Sequence, residues 1–234
     1  MALRLEELAK TIDHTLLRPT ATLGDVGVVC DQAREHHFAS VCILPSFVPQ
    51  ATERLRGCDV KVCTVISFPF GADSAKAKIA AAEQAVTSGA GELEVVLNVP
   101  MLLSGDFRYV RDELVSLVRA VRVKSVNAGK GIVLVKVIIE CCHLDDKLKK
   151  LACKIAEDAG ADFVETSTGY GDGGATLHDV ELIRDCLPES VGVKASGGIE
   201  TAEKVDAMVG AGAGRIGTAS AVEIMRGFAR LRQA

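Results

Sequence analysis

The chain has 234 residues, 48% hydrophobic and 25% charged, with a formal net charge of −4 at pH 7. That size fits a single domain, 1–234, of the α/β barrel class. The acidic balance, 4% aromatics and absence of tryptophan argue against a nucleic-acid partner, since neither a basic face nor a stacking platform is evident.

Taken in chain order, β-rich runs alternate with longer helical ones. The predicted strands are 12–15, 41–44, 60–67, 92–98, 132–140, 162–166, 191–195 and 215–218. Helices are predicted between and after them at 23–37, 47–55, 74–88, 107–127, 145–159, 177–186, 202–211 and 221–231. Thr22 with Asp25, and Thr176 with Asp179, have the spacing of N-terminal capping boxes. Gly89, Gly129, Gly160 and Gly212 follow helical runs, where glycine adopts the left-handed conformation that ends a helix. Eight such β/α repeats predict a (β/α)8 TIM barrel. The alternative, an open doubly wound sheet, lacks its G-x-G-x-x-G after the first strand. No Pro/Ser-rich linker divides the chain.

The N-terminal MALRLEELAK carries acids and no long apolar core, unlike a secretory signal. The longest apolar run, 132–139, is interrupted by Lys136 and is too short to span a bilayer. Eight cysteines in a chain of this size need no disulfide framework, and several sit in apolar runs as small hydrophobes. A reducing, cytoplasmic setting is expected. There is no C-x-x-C pair, and the five histidines lack ligand spacing, so no metal is expected.

Side chains alternate faces along a strand. Glu92, Glu94, Val96 and Asn98 share one face; so do Leu134, Lys136, Ile138 and Glu140; so do Phe163 and Glu165, and Gly192 and Lys194. Charges in apolar strands are costly to bury unpaired. Their recurrence on consecutive strands predicts a shared polar site near the barrel mouth.

Several segments resemble one family in order and spacing. They are TIDHTLL (11–17, with Asp13), SVCILPSFV (40–48, with Cys42), CTVISFPFGA (63–72), VKVIIE (135–140, with Lys136), GADFVETSTGY (160–170), VGVKASGGI (191–199, with Lys194) and RIGTAS (215–220). Together they resemble the deoxyribose-phosphate aldolases. The resemblance implies reversible cleavage of 2-deoxyribose 5-phosphate to acetaldehyde and glyceraldehyde 3-phosphate through a lysine imine, without a cofactor. It implies family active-site positions at Asp13, Cys42, Glu94, Lys136, Glu165 and Lys194. It implies phosphate-binding loops at Gly169, Gly171, Gly197, Gly198, Gly217, Thr218 and Ser220, where glycines let backbone amides approach an anion.

Three positions depart from the family pattern. Glu165 stands where the family has its imine lysine, and a carboxylate cannot form an imine. Glu94 stands for a relay aspartate, moving its carboxylate by roughly 1.5 Å, and a misplacement on the order of 1 Å costs about a hundredfold in rate. Ala219 stands for a serine in the last phosphate loop. Asp13, Glu94, Lys136, Glu165 and Lys194 sum to −1, a field that favours the ammonium form of Lys194 and an ion pair with Glu165.

These departures predict a family member deficient in aldolase activity, acting as a phosphosugar sensor or a protein-binding scaffold, with an unidentified protein partner. Two alternatives keep catalysis: residual aldolase activity with Lys194 as substitute nucleophile, or phosphosugar isomerisation by the Glu165, Glu94 and Asp13 carboxylates. The basic C-terminal stretch (Arg226, Arg230, Arg232) reads as a solvated helix face. A homodimer is expected from the resemblance.

Overall fold

The computed structural model describes residues 4–129 and 131–231. Among them eight parallel strands close into a barrel in sequence order. These are β1 (Ile12–Leu16), β2 (Ser40–Ile43), β3 (Lys61–Ile66), β4 (Glu92–Val96), β5 (Leu134–Ile138), β6 (Phe163–Glu165), β7 (Gly192–Ser196) and β8 (Arg215–Thr218), with β8 pairing back onto β1. Helices cover the outside: α1 (Leu5–Ala9), α2 (Leu23–His36), α3 (Val48–Arg54), α4 (Ala75–Ser88), α5 (Val99–Leu103), α6 (Phe107–Asn127), α7 (Asp146–Asp158), α8 (Leu177–Cys186), α9 (Ala202–Gly210) and α10 (Ala221–Leu231). The predicted (β/α)8 TIM barrel is the fold observed. No helix among the described residues is long and apolar enough to cross a membrane.

The strand sequences explain the layering. Val41, Ile43, Leu93, Val95, Val135, Val137, Val164, Val193 and Ile216 point outward and join one apolar cluster with helix residues such as Val86, Leu114, Leu117, Val121 and Ala156. Each such side chain contributes about 1.5–3 kcal/mol on burial. The alternate residues point into the barrel, so the charged positions of β4 to β7 are forced inward together.

Thr22 and Asp25 form the predicted reciprocal cap of α2. The Thr176 hydroxyl accepts from the Asp179 amide at 3.1 Å. Gly89, Gly129, Gly160 and Gly212 all take positive φ. Strand ends differ from expectation where the backbone turns sharply: Ser67 (φ 57°) and Glu140 (φ 52°) are left-handed, so β3 and β5 stop before them. The helix expected at 47–55 opens with a tight turn over Pro45–Phe47 before α3. Two short helices, α1 and α5, went unanticipated; five residues give too little periodicity to read. The α5 turn cuts β4 short at Val96, with the Asn98 side chain accepting from the Met101 amide at 3.3 Å. Of the basic C-terminal stretch, Arg232 lies outside the described residues.

One buried pair fixes the β4 end. Lys78 of α4 bridges Glu113 of α6 at 2.6 Å with both side chains fully buried, and donates to the Val96 carbonyl at 3.0 Å. A buried charge without a partner costs several kcal/mol, so this pair locks two helices to the strand that carries Glu94.

Candidate active site

A cavity of about 250 Å³ opens at the C-terminal ends of the strands. Its floor is Glu94 of β4, Glu165 of β6 and Lys194 of β7; its rim is the loops after β1, β3, β6, β7 and β8. Register explains the floor, because Glu165 on β6 lies directly beside Lys194 on β7. Gly192 has a related local reason: a Cβ there would sit 2.2 Å from the Phe163 ring, and that ring carries the Arg215 guanidinium 5.6 Å from its centroid.

Below the floor lies a closed ion-pair network. Lys136 Nζ meets Asp13 at 2.5 Å, Glu92 at 2.7 Å and Glu94 at 3.2 Å. Lys194 Nζ contacts Glu94 closely, Glu165 at 3.1 Å and Asp13 at 3.2 Å. Arg215 bonds Asp13 closely and Glu92 at 2.8 Å. The Ser40 hydroxyl donates to Asp13 at 2.7 Å. The thiols of Cys42 and Cys63 donate to the two Glu94 oxygens at 3.1 and 3.2 Å.

The count explains the protonation. Asp13, Glu92 and Glu94 face Lys136, Lys194 and Arg215, and Glu165 is a fourth acid with no base of its own. Burial pushes the Glu165 carboxyl up, the Glu94 charge adds to it, and Lys194 and Lys136 pull only partly back; it reaches about 8. Burial also works against ionising Glu94, yet Lys194 and Lys136 outweigh it and hold that carboxyl at about 2. Asp13 is likewise held well below the usual range by Lys136, Lys194 and Arg215 in spite of burial. Burial opposes the Lys194 charge, and its carboxylate neighbours outweigh that and keep it an ammonium ion. The upward shift favours the protonated form of Glu165 at neutral pH. Among the described residues its Oε2 has no hydrogen-bond partner, nor has the Ser167 hydroxyl, and both residues line the cavity.

The positions expected to act together separate into two levels. Glu94, Glu165 and Lys194 reach the cavity, whereas Asp13, Cys42 and Lys136 lie beneath it, fully buried. The expected shared polar site thus has two layers, one lining the cavity at the barrel mouth and one buried beneath it. The expected Glu165–Lys194 contact is present at 3.1 Å, but with Glu165 protonated it is a hydrogen bond to a neutral carboxyl rather than an ion pair, and Lys194 gives its charge to Glu94 and Asp13. Gly169, Gly197, Gly198, Gly217, Thr218 and Ser220 line the cavity. Gly171 does not; it lies against Cys142 and Glu140 and lines a neighbouring apolar cavity of about 460 Å³.

Sequence reasoning missed Arg215, the third base of the network, although it carries the signal that revealed Lys136, a charge in an otherwise apolar strand. It also missed Arg18, Phe68, Thr168 and Tyr170 around the cavity. Glu140 orders Thr168, accepting from its amide at 3.2 Å and closely from its hydroxyl. The Tyr170 hydroxyl then reaches across to the Leu17 carbonyl at 2.9 Å. Such contacts join loops after different strands, and no local pattern announces them.

Residues 8–234 match the DeoC/LacD family aldolase description. A deoxyribose-phosphate aldolase of Caldanaerobacter subterraneus subsp. tengcongensis is 51% identical over 94% of this chain and 93% of that protein. One from Thermoanaerobacter sp. is 49% identical over 96% of this chain and 98% of that protein. The tetrameric deoxyribose phosphate aldolase structure from Aeropyrum pernix superposes with a TM-score of 0.88 at 35% identity, covering 97% of this chain and 93% of that one. These similarities overturn the expectation of a non-catalytic sensor or scaffold, since about half of the residues are shared, over nearly the whole length, with proteins named as aldolases. The chain belongs to the DeoC/LacD family of aldolases.

Proposed function

We propose that this protein cleaves 2-deoxyribose 5-phosphate to glyceraldehyde 3-phosphate and acetaldehyde, with Lys194 forming the imine. The observation that carries the reading is the placement of Lys194. It is the lysine that lines the cavity among the described residues, and its Nζ stands 3.1 Å from Glu165, the residue at the family's lysine position. An amine on β7 therefore reaches the space that one on β6 would serve. The curated relatives' name supports the substrate.

The chemistry follows from the network. Lys194 must lose a proton before it attacks the C1 aldehyde. Glu94, its close partner, is the acceptor at hand; the transfer leaves the net charge of the buried cluster unchanged but runs against the network's hold on the ammonium and the carboxylate, so the amine forms transiently. The amine adds to C1, and loss of water forms the imine. Glu165, protonated and lining the cavity, donates to the departing hydroxyl and becomes the carboxylate that next accepts the C3 hydroxyl proton. The C2–C3 bond breaks, its electron pair moves into the enamine, and glyceraldehyde 3-phosphate leaves. Protonation at C2 and hydrolysis release acetaldehyde. The amides of Gly197, Gly198 and Ser220, the last just before α10, suit the phosphate. This sequence needs no cofactor.

The decisive comparison is glyceraldehyde 3-phosphate release by the native chain and by Lys194→Met. Turnover in the native chain and a loss of about a thousandfold or more in the variant is expected; equal rates would sink the assignment. We further read 1–234 as one domain that works as a homodimer. The tetrameric Aeropyrum pernix relative supports self-association, and light scattering giving twice the 24.6 kDa chain mass would support the dimer, a monomer mass count against it.

A further inference from the structure

Cys42, Cys63 and Glu94 come from three neighbouring strands, and one donor atom from each lies within 4.8 Å of the others. All three are buried. Spacing along the chain hides them, because each ligand arrives on a separate strand. We propose that they form a binding site for a thiophilic divalent cation of the zinc class, with Glu94 as the shared wall between that site and the cavity.

The geometry fits such an ion. Zinc bonds sulfur at about 2.3 Å and carboxylate oxygen at about 2.0–2.2 Å, which sets tetrahedral S···O separations at roughly 3.5 Å. Cys42 Sγ stands 3.1 Å from Glu94 Oε2 and Cys63 Sγ 3.2 Å from Oε1, so the carboxylate turns to bring one oxygen between the two sulfurs as the ion enters. Three protein donors leave a fourth position open. The ion reaches the site past Glu94, the member of the trio that lines the cavity.

Charge also fits. A dication entering as two thiol protons leave does not change the cluster's net charge. When Glu94 turns toward it, Lys136 keeps two carboxylates, and Lys194 keeps the Asp13 carboxylate and the neutral Glu165 carboxyl. Lys136 retains Asp13 at 2.5 Å and Glu92 at 2.7 Å, and Lys194 retains Glu165 at 3.1 Å and Asp13 at 3.2 Å. Two thiolates select a soft or borderline ion over magnesium or calcium.

The test is a Cd2+ titration of the chelator-stripped, fully reduced native chain, followed by thiolate-to-metal charge-transfer absorption, with Zn2+ then competing for the site. One saturable ion per chain with two thiolates is expected. Cys63→Ser should halve the absorption per ion and weaken affinity at least about a hundredfold, and Glu94→Gln should weaken it about tenfold while keeping both thiolates. Cys142→Ser, which alters an exposed thiol, should change nothing. If Cys63→Ser does not fold, Cys42→Ser carries the same expectation. No saturable binding by the native chain, or a signal lost in Cys142→Ser and kept in Cys63→Ser, would overturn the site. Binding is read directly, so the outcome does not depend on the proposed aldolase activity.

Discussion

Glu165 is the residue on which the chemistry turns. In the sequence it looks like the loss of a nucleophile; in the barrel it is the acid without a base, beside an amine one strand away. Its raised pKa has a consequence for stability. In the unfolded chain this carboxyl titrates near 4.5, and in the folded protein at about 8. Between those values the folded state binds more protons, so its stability falls as pH rises. Glu165→Gln keeps the shape and removes the titration. The native chain should therefore lose stability relative to Glu165→Gln as pH climbs from about 4.5 through about 8, by an order of a few kcal/mol. Paired denaturant melts at pH 5, 7 and 9 check this; a pH-independent difference would mean that Glu165 is ionised throughout. Glu165 also shows what the sequence left illegible. Its neighbours could be read from strand alternation, but its protonation depends on a count that includes Arg215, whose inward direction only the closed barrel reveals.

At the scale of elements, the strands and most helices were legible because period-two and helical patterns are strong and the turn glycines fall where expected. The short helices α1 and α5 and the left-handed stops at Ser67 and Glu140 were not, since tertiary contacts decide them. The loops behave similarly. That glycines fill the loops after β6 to β8 was visible, but not which of them reach the cavity: Gly169 does and Gly171, two residues on, faces the apolar neighbour. Gly197 illustrates the constraint. It has φ 90°, and a Cβ there would stand 2.9 Å from the Gly174 Cα, so neither conformation nor space admits a side chain. Gly197→Ala should displace the β7 loop, raising KM for the phosphorylated substrate about tenfold or more, with a smaller effect on the unphosphorylated sugar. Steady-state kinetics on both substrates provide the check; equal losses on the two would show that the loop does not meet the phosphate.

At the scale of the molecule, one apolar shell holds the barrel, and its interior is given over to charge. Buried networks of this kind are stable only when each member is paired and hydrogen-bonded. Asp13 and Lys136 hold that balance from below while Glu94, Glu165 and Lys194 line the cavity, so the layer beneath sets the charge of the layer above it. The composition, fold and family were readable from the chain. Whether the barrel retained its chemistry was not, because substitution at one motif position says nothing of a second amine within reach of the same space. The most direct measurement is borohydride reduction of the native chain in the presence of acetaldehyde, followed by peptide mapping. An ethyl adduct on Lys194 is the predicted result; no adduct, or one confined to another lysine, would contradict the account.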